Sequence, residues 1–199
     1  VIDYAYGVSG AILPEILSEF DCDAVVLNAS LRQTSLTPQD RDGLLHQLGQ
    51  VVEVLKANLG AQISANGEKF VLVDESGLSI RGEQLTALMV NTILNAYPKS
   101  TVVVPVHVSS AVEQVARRYE GHVLRTKANA TALMEACQRD DRVVLGGSGD
   151  TGFIFPKLHP GFDAMFAIAK LLEMLALQGR SLAQIRAELP KIYHKSGTI

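Results

Sequence analysis

Apolar positions along the chain fall into short runs and helical stripes that alternate from the first residue onward. Residues 1–4 read as a strand, a glycine-containing turn at Gly7 and Gly10 follows, and residues 11–20 read as a helix. A short apolar strand covers 24–27. Thr37-Pro38 then opens a long helix, with a capping hydroxyl followed by proline at the first helical position. Leu44, Leu45, Leu48, Val51, Val52 and Leu55 lie at 3.6-residue spacing, so one face of that helix is buried, and Gly60 is expected to close it. Residues 61–64 and 70–73 read as strands, and Asp74-Glu75-Ser76-Gly77 as a turn. Leu85, Leu88, Met89, Thr92 and Ile93 mark an amphipathic helix ending before Pro98.

The second half repeats this order. Residues 101–106 read as a strand, and Ser110 with Glu113 as a capping box for a helix stopped by Gly121. A strand at 122–126, a helix at 130–139 and a strand at 142–145 follow. A glycine-rich loop leads to the strand 153–155, which Pro156 ends, and a long helix buries Phe162, Met165, Phe166, Ala169, Leu172 and Leu175. A capped helix at 181–189 precedes Pro190 and a polar tail. Strand and helix alternating in this way place helices on the faces of a mostly parallel sheet. The expected fold class is therefore α/β, as two tandem three-layer α/β/α domains with mostly parallel, mixed sheets. Their expected extents are residues 1–98 and 99–199, joined near Pro98-Lys99-Ser100.

Composition narrows the function classes. The chain is 47% hydrophobic and 20% charged with net charge −3, so it can bury a core and carries no basic excess for nucleic acid. The longest apolar stretch, 162–177, is broken by Lys170 and Glu173, so no membrane span is expected. No charged-then-apolar leader precedes the first strand, and Cys22 and Cys137 are too few for a disulfide framework. A cytoplasmic protein with free thiols is expected. Because Val1 already lies in a strand-like stretch, the chain reads as a piece of something longer.

The loop Gly146-Gly147-Ser148-Gly149-Asp150-Thr151-Gly152 contains G-x-G-x-x-G, but a dinucleotide fingerprint needs a helix at once and Phe153-Ile154-Phe155-Pro156 follows instead. Nor is it a nucleophile elbow, since Asp150 stands where glycine is required two residues after Ser148. A flexible loop of exposed backbone amides at the carboxyl end of a sheet, suited to anions or sugar hydroxyls, remains, beside the reading as a plain surface turn. Gly7-Val8-Ser9-Gly10 reads as a strand-to-helix turn in preference to a phosphate cradle. His46, His107, His122, His159 and His194 show no metal-ligand spacing. The acidic pairs Asp21/Asp23 and Asp140/Asp141 read as solvated charge.

Three stretches resemble the α-D-phosphohexomutases (phosphomannomutase and phosphoglucomutase). VIDYAYGVSGAILPEIL is similar to the opening of that family's second domain, and DESGLSIRGEQLTALM to the turn and helix after its metal loop. GGSGDTGFIFPKLHPGFDAMFAIAKLLEMLA is similar to the third domain's sugar-recognition loop and following helix. The resemblance spans essentially the whole chain and implies the middle two of four domains. In the family a phosphoserine of the first domain exchanges phosphate with a hexose. Mg²⁺ is held by three aspartates of a D-G-D-x-D loop in the second, and a Glu in a G-G-E-x-S-G loop of the third reads sugar hydroxyls. The fourth domain clamps the phosphate.

Carried over, the metal loop falls on residues 64–69, and the three aspartate positions become Ser64, Asn66 and Glu68, beside Lys69. Mg²⁺ prefers hard, charged oxygens in octahedral order, so one carboxylate with two neutral side chains is a poor donor set and no metal is expected in this piece. The sugar-reading Glu becomes Ser148 in the loop 146–152, and neutral residues around Ala130-Thr131 stand where a basic residue is expected after Thr126-Lys127. The resemblance thus implies a module with no catalytic residue of its own, with Gly146, Gly147, Ser148, Gly149 and Asp150 as candidate substrate contacts. Its expected partners are flanking domains of the same polypeptide, a hexose phosphate and a second copy of itself. The expected parent is a mannose-1-phosphate guanylyltransferase-like fusion. The alternatives are the excised centre of a working mutase and a structural dimerisation unit.

Overall fold

A computed structural model describes residues 1–19, 22–31 and 36–191. The first half runs β1 (Ile2–Asp3), a 3₁₀ turn (Val8–Ala11), α1 (Leu13–Glu19), β2 (Val26–Leu27), α2 (Pro38–Leu55), β3 (Leu59–Ile63), β4 (Phe70–Asp74), β5 (Ser79–Ile80) and α3 (Gly82–Ala96). The second runs β6 (Thr101–Pro105), α4 (Ala111–Arg117), β7 (His122–Thr126), α5 (Ala130–Gln138), β8 (Val143–Ser148), β9 (Gly152–Phe155), β10 (His159–Phe162), α6 (Ala164–Gln178) and α7 (Leu182–Glu188).

The two sheets have one topology. Their orders are β2-β1-β3-β4-β5 and, read from the same side of the repeat, β7-β6-β8-β9-β10. In each, the first three strands of the repeat pair in parallel and the last two antiparallel. The expected α/β class with mixed sheets and flanking helices is what the chain adopts. Leu45, Leu48 and Val52 of α2 pack on Val73, and Leu133, Ala136 and Cys137 of α5 pack on Val103 and Ile154, so the same helix of each repeat covers the same face. One further cluster threads both sheets, with Phe70 of β4 against Phe153 of β9 at 5.7 Å between ring centroids. Helix α3 packs on α4, β8, α6 and α7, the elements of the second repeat.

Several local expectations are corrected. Helix α2 stops at Leu55, with Lys56 in the left-handed conformation (φ 51°), and Gly60 lies inside β3. Thr37 does cap α2, in a capping box with Asp40. Ser110 caps nothing: it sits in helical conformation, and Glu113 is taken by Arg125 of β7 at 2.8 Å. The short strands β5 and β10 were not expected, and the loop at 146–152 shrinks to the turn 149–151 because β8 extends through Ser148. Phe20 at the end of the first expected helix, Asp21, His194 and most of the polar tail lie outside the described residues. Neither Cys22 nor Cys137 forms a disulfide, and no described helix is long and apolar enough to cross a membrane.

Candidate functional site

Strands β3 and β4 form an antiparallel hairpin whose tip is residues 64–69, and β8 and β9 form its counterpart with the tip 149–151. Both tips stand at one cleft. The order 2-1-3-4-5 reverses between the first and third strands, and such a switch point, outside the carboxyl ends of the strands, is where open α/β sheets bind ligands. There the first sheet carries a cavity of about 470 Å³ lined by Tyr6, Arg41, Ser64, Lys69, Gly149 and Asp150. A second cavity of about 960 Å³ continues past Gly149 and Asp150 to Arg81, Gln84, Arg186 and Lys191.

The floor below the first tip is polar and tightly built. Asp3 is fully buried and accepts from Ala5 N–H at 2.8 Å and from the side-chain amides of Asn28 and Gln62 at 3.0 Å each. Tyr4 carbonyl accepts from Gly7 N–H at 2.7 Å around Ala5 (φ 45°) and Tyr6 (φ 60°). Two consecutive left-handed non-glycine residues each cost about 1–2 kcal/mol, and strain of this kind persists only where the surroundings enforce it. Tyr4 Oη and Ser9 Oγ are buried without a hydrogen-bond partner among the described residues, and burial pushes the Tyr4 phenol up to about 12. Gly7-Val8-Ser9-Gly10 forms the 3₁₀ turn. The Val8 amide bonds Ala65 O and the Gly10 amide bonds Gly7 O, so this is the turn expected and not an open phosphate cradle.

At the first tip the backbone closes with Ser64 N–H to Lys69 O at 2.8 Å and Gly67 N–H to Ser64 O at 2.9 Å. The side chains at the three positions where the resemblance places metal ligands bond to one another. Ser64 Oγ donates to Asn66 Oδ1 at 2.8 Å, and Asn66 Nδ2 donates to Glu68 Oε2 at 2.7 Å. Lys69 N–H donates to Ser64 Oγ at 2.9 Å. For Mg²⁺ this set does not fit: it holds one carboxylate, and its oxygens already serve as partners to one another. No group of three His, Cys, Asp or Glu converges among the described residues.

The second tip is turned inward, which corrects the expectation of a loop of exposed amides. Gly146, Gly147 and Ser148 are buried β8 residues laddered to β9. Ser148 is 1% exposed, and its hydroxyl shares a hydrogen bond of 3.1 Å with Thr151 Oγ1. Ser148 N–H donates to Thr151 Oγ1 at 3.0 Å, and Gly149 N–H to Thr86 Oγ1 of α3 at 2.8 Å. Of the five candidate residues, only Gly149 and Asp150 line the cleft. Lys127 stays exposed just beyond β7. Arg41, a cleft residue that sequence reasoning missed, stands in the first turn of α2, and its place beside Lys69 follows from how α2 packs on β3 and β4.

A pair of α/β/α units meeting at their hairpin tips around a cleft defines the class, and comparison with known proteins defines the family. Residues 81–193 match the model of phosphoglucomutase/phosphomannomutase, alpha/beta/alpha domain III, so the chain belongs to that family. It is 27% identical over 195 residues to a phosphoglucomutase/phosphomannomutase of Thermococcus kodakarensis, covering 97% of this chain and 42% of the relative. It is 25% identical over 189 residues to a phosphoglucosamine mutase of Desulfovibrio desulfuricans, covering 93% of this chain and 41% of that protein. The chain therefore spans less than half the length of these relatives. Its fold superimposes with a TM-score of 0.81 on a phosphoglucomutase/phosphomannomutase family protein of Burkholderia thailandensis, at 20% identity, covering 96% of this chain and 42% of that one.

Proposed function

We propose that this chain binds a hexose phosphate in the cleft between its two hairpin tips and does not by itself transfer the phosphate. The observation that carries this reading is the cavity of about 470 Å³ at the β1/β3 switch point, with Arg41 and Lys69 on its wall. A volume of this order suits a small polar ligand. Neither side chain has a hydrogen bond or ion pair among the described residues, so both cations are available to phosphate oxygens. Asp150 lies across the tip from them and supplies an acceptor for sugar hydroxyls, a role that the inward-turned Ser148 does not fill. The relatives' names point to hexose and hexosamine phosphates as the ligands to try.

Calorimetric titration with glucose 1-phosphate, mannose 1-phosphate and glucosamine 1-phosphate tests the reading. Saturable binding to at least one, weakened about tenfold or more by Arg41→Ala with Lys69→Ala, is expected, since loss of a charge-assisted contact of about 1.4 kcal/mol is tenfold in Kd. Absence of binding, or binding indifferent to both substitutions, would overturn it. A second reading, the excised centre of a working mutase, is favoured by the mutase names of the relatives and by their greater length. Mg²⁺-dependent turnover by the full-length protein separates the two. The Thermococcus and Desulfovibrio relatives are mutases by name, so a guanylyltransferase-like parent rests on the resemblance alone.

A further inference from the structure

We infer that a hydrogen-bonded relay through Ser64, Asn66 and Glu68 takes the place of a divalent cation in the first hairpin tip, and that capacity for the ion has been lost at these three side chains alone, with the backbone cradle kept. The relay runs in one direction, from Ser64 Oγ–H to Asn66 Oδ1 and from Asn66 Nδ2–H to Glu68 Oε2. Glu68 N–H and Lys69 N–H close it from the main chain, at 3.4 Å to Asn66 Oδ1 and 2.9 Å to Ser64 Oγ. Oxygens that would face an ion together are instead strung in series by protons. Turning them inward toward a cation would break both side-chain bonds for the return of a single carboxylate charge.

The cradle around the relay is set by main-chain contacts that do not depend on these side chains. Ala65 O accepts from Val8 N–H at 3.1 Å, and Gly67 O accepts from Ala164 N–H, at the start of α6, at 2.9 Å. A Cβ on Gly7 would lie 2.6 Å from Ala65 Cα, and one on Gly152 would overlap Glu68 O, so two glycines from different elements let the backbone come this close. A loop held on three sides by other elements keeps its path when its side chains change. Placing Asp at positions 64, 66 and 68 therefore presents three carboxylates at one point, a hard-oxygen set of the kind Mg²⁺ selects.

Melting curves in EDTA and in saturating Mg²⁺, with Mn²⁺ titration followed by electron paramagnetic resonance, test the inference without recourse to activity. The wild-type midpoint is expected to be the same in both media, with no saturable Mn²⁺ binding. The variant carrying Ser64→Asp, Asn66→Asp and Glu68→Asp is expected to melt lower in EDTA, because like charges crowd without a counter-ion. Its folded-to-unfolded ratio should rise about 100-fold when Mg²⁺ stands a hundredfold above its Kd. A variant carrying only Ser64→Asp and Asn66→Asp keeps the native Glu68 as third carboxylate and decides the matter if the triple substitution does not fold. Wild-type stabilisation by Mg²⁺, or stoichiometric Mn²⁺ on the wild type, overturns the relay. Indifference to Mg²⁺ in whichever aspartate variants fold, or failure of both to fold even in Mg²⁺, overturns the kept cradle. Either result stands apart from the sugar-phosphate titration, which reads a different ligand.

Discussion

The two hairpin tips occupy the same place in two copies of one topology, yet they present opposite sides of themselves to the cleft. At 64–69 the side chains stand outward and bond to each other, leaving Lys69 exposed at the cavity wall. At 149–151 the amides and hydroxyls turn inward, to Thr151 and to Thr86 of α3, leaving the Asp150 carboxylate outside. A serine hydroxyl helps close both turns, Ser64 accepting from Lys69 and Ser148 pairing with Thr151. Equal topology thus fixes where a tip stands but not what it offers. One tip places the Lys69 ammonium on the cleft wall and the other the Asp150 carboxylate.

The contrast can be broken most forcefully where the tips touch. Gly152 (φ 96°) faces Glu68 O, so Gly152→Ala adds backbone strain to a collision and should destabilise the chain by about 3 kcal/mol in urea unfolding. Within the second repeat, Arg125 donates to the carbonyls of Val106 and Val108 and to Glu113, tying down the loop after β6. Arg125→Ala should cost about 2 kcal/mol by the same measurement, the expected value for charged hydrogen bonds left unmade. Thr86→Val removes the acceptor of Gly149 N–H and should cost about 1 kcal/mol, while amide exchange at Gly149 quickens relative to that at Gly67.

The last expected effect is alkaline and confined to high pH. Burial lifts the Cys137 thiol, packed beneath Gly146, from its ordinary value of 9.0 to about 12. The folded state holds this proton more tightly than the unfolded one, so its contribution to stability is complete below pH 9 and is lost as pH rises toward 12. Cys137→Ala should flatten that limb in pH-dependent melting, apart from the part due to Tyr4, whose phenol is raised likewise but from 10. No steepening between about pH 9 and 10 in the wild type would sink the assignment.

Much of this architecture was legible from local pattern. The doubled order of strands and helices, the Thr37 cap, the turn at 74–77 and the helix opened by Ser181 each follow from residues a few positions apart. What escaped depends on distance in sequence. Glu113 satisfies a local capping rule but bonds Arg125 on the adjacent strand β7, and Gly149 finds its partner 63 residues away at Thr86. Glycine richness at 146–152 suggested an open loop, whereas four of those residues are strand because β8 and β9 ladder to each other through them. The strands β5 and β10 carry too few apolar positions to show a period of two. At the cleft, the residue types at 64, 66 and 68 gave away the poor metal set, but their bonding to one another is a matter of geometry alone.

One last consequence comes from Phe70 and Phe153, whose rings meet at a tilt of 48° between the two sheets. Each ring is the other's wall, so neither repeat melts without wetting its neighbour. Heat should carry both through a single transition, and a small molecule seated against one tip would make the entire chain harder to denature.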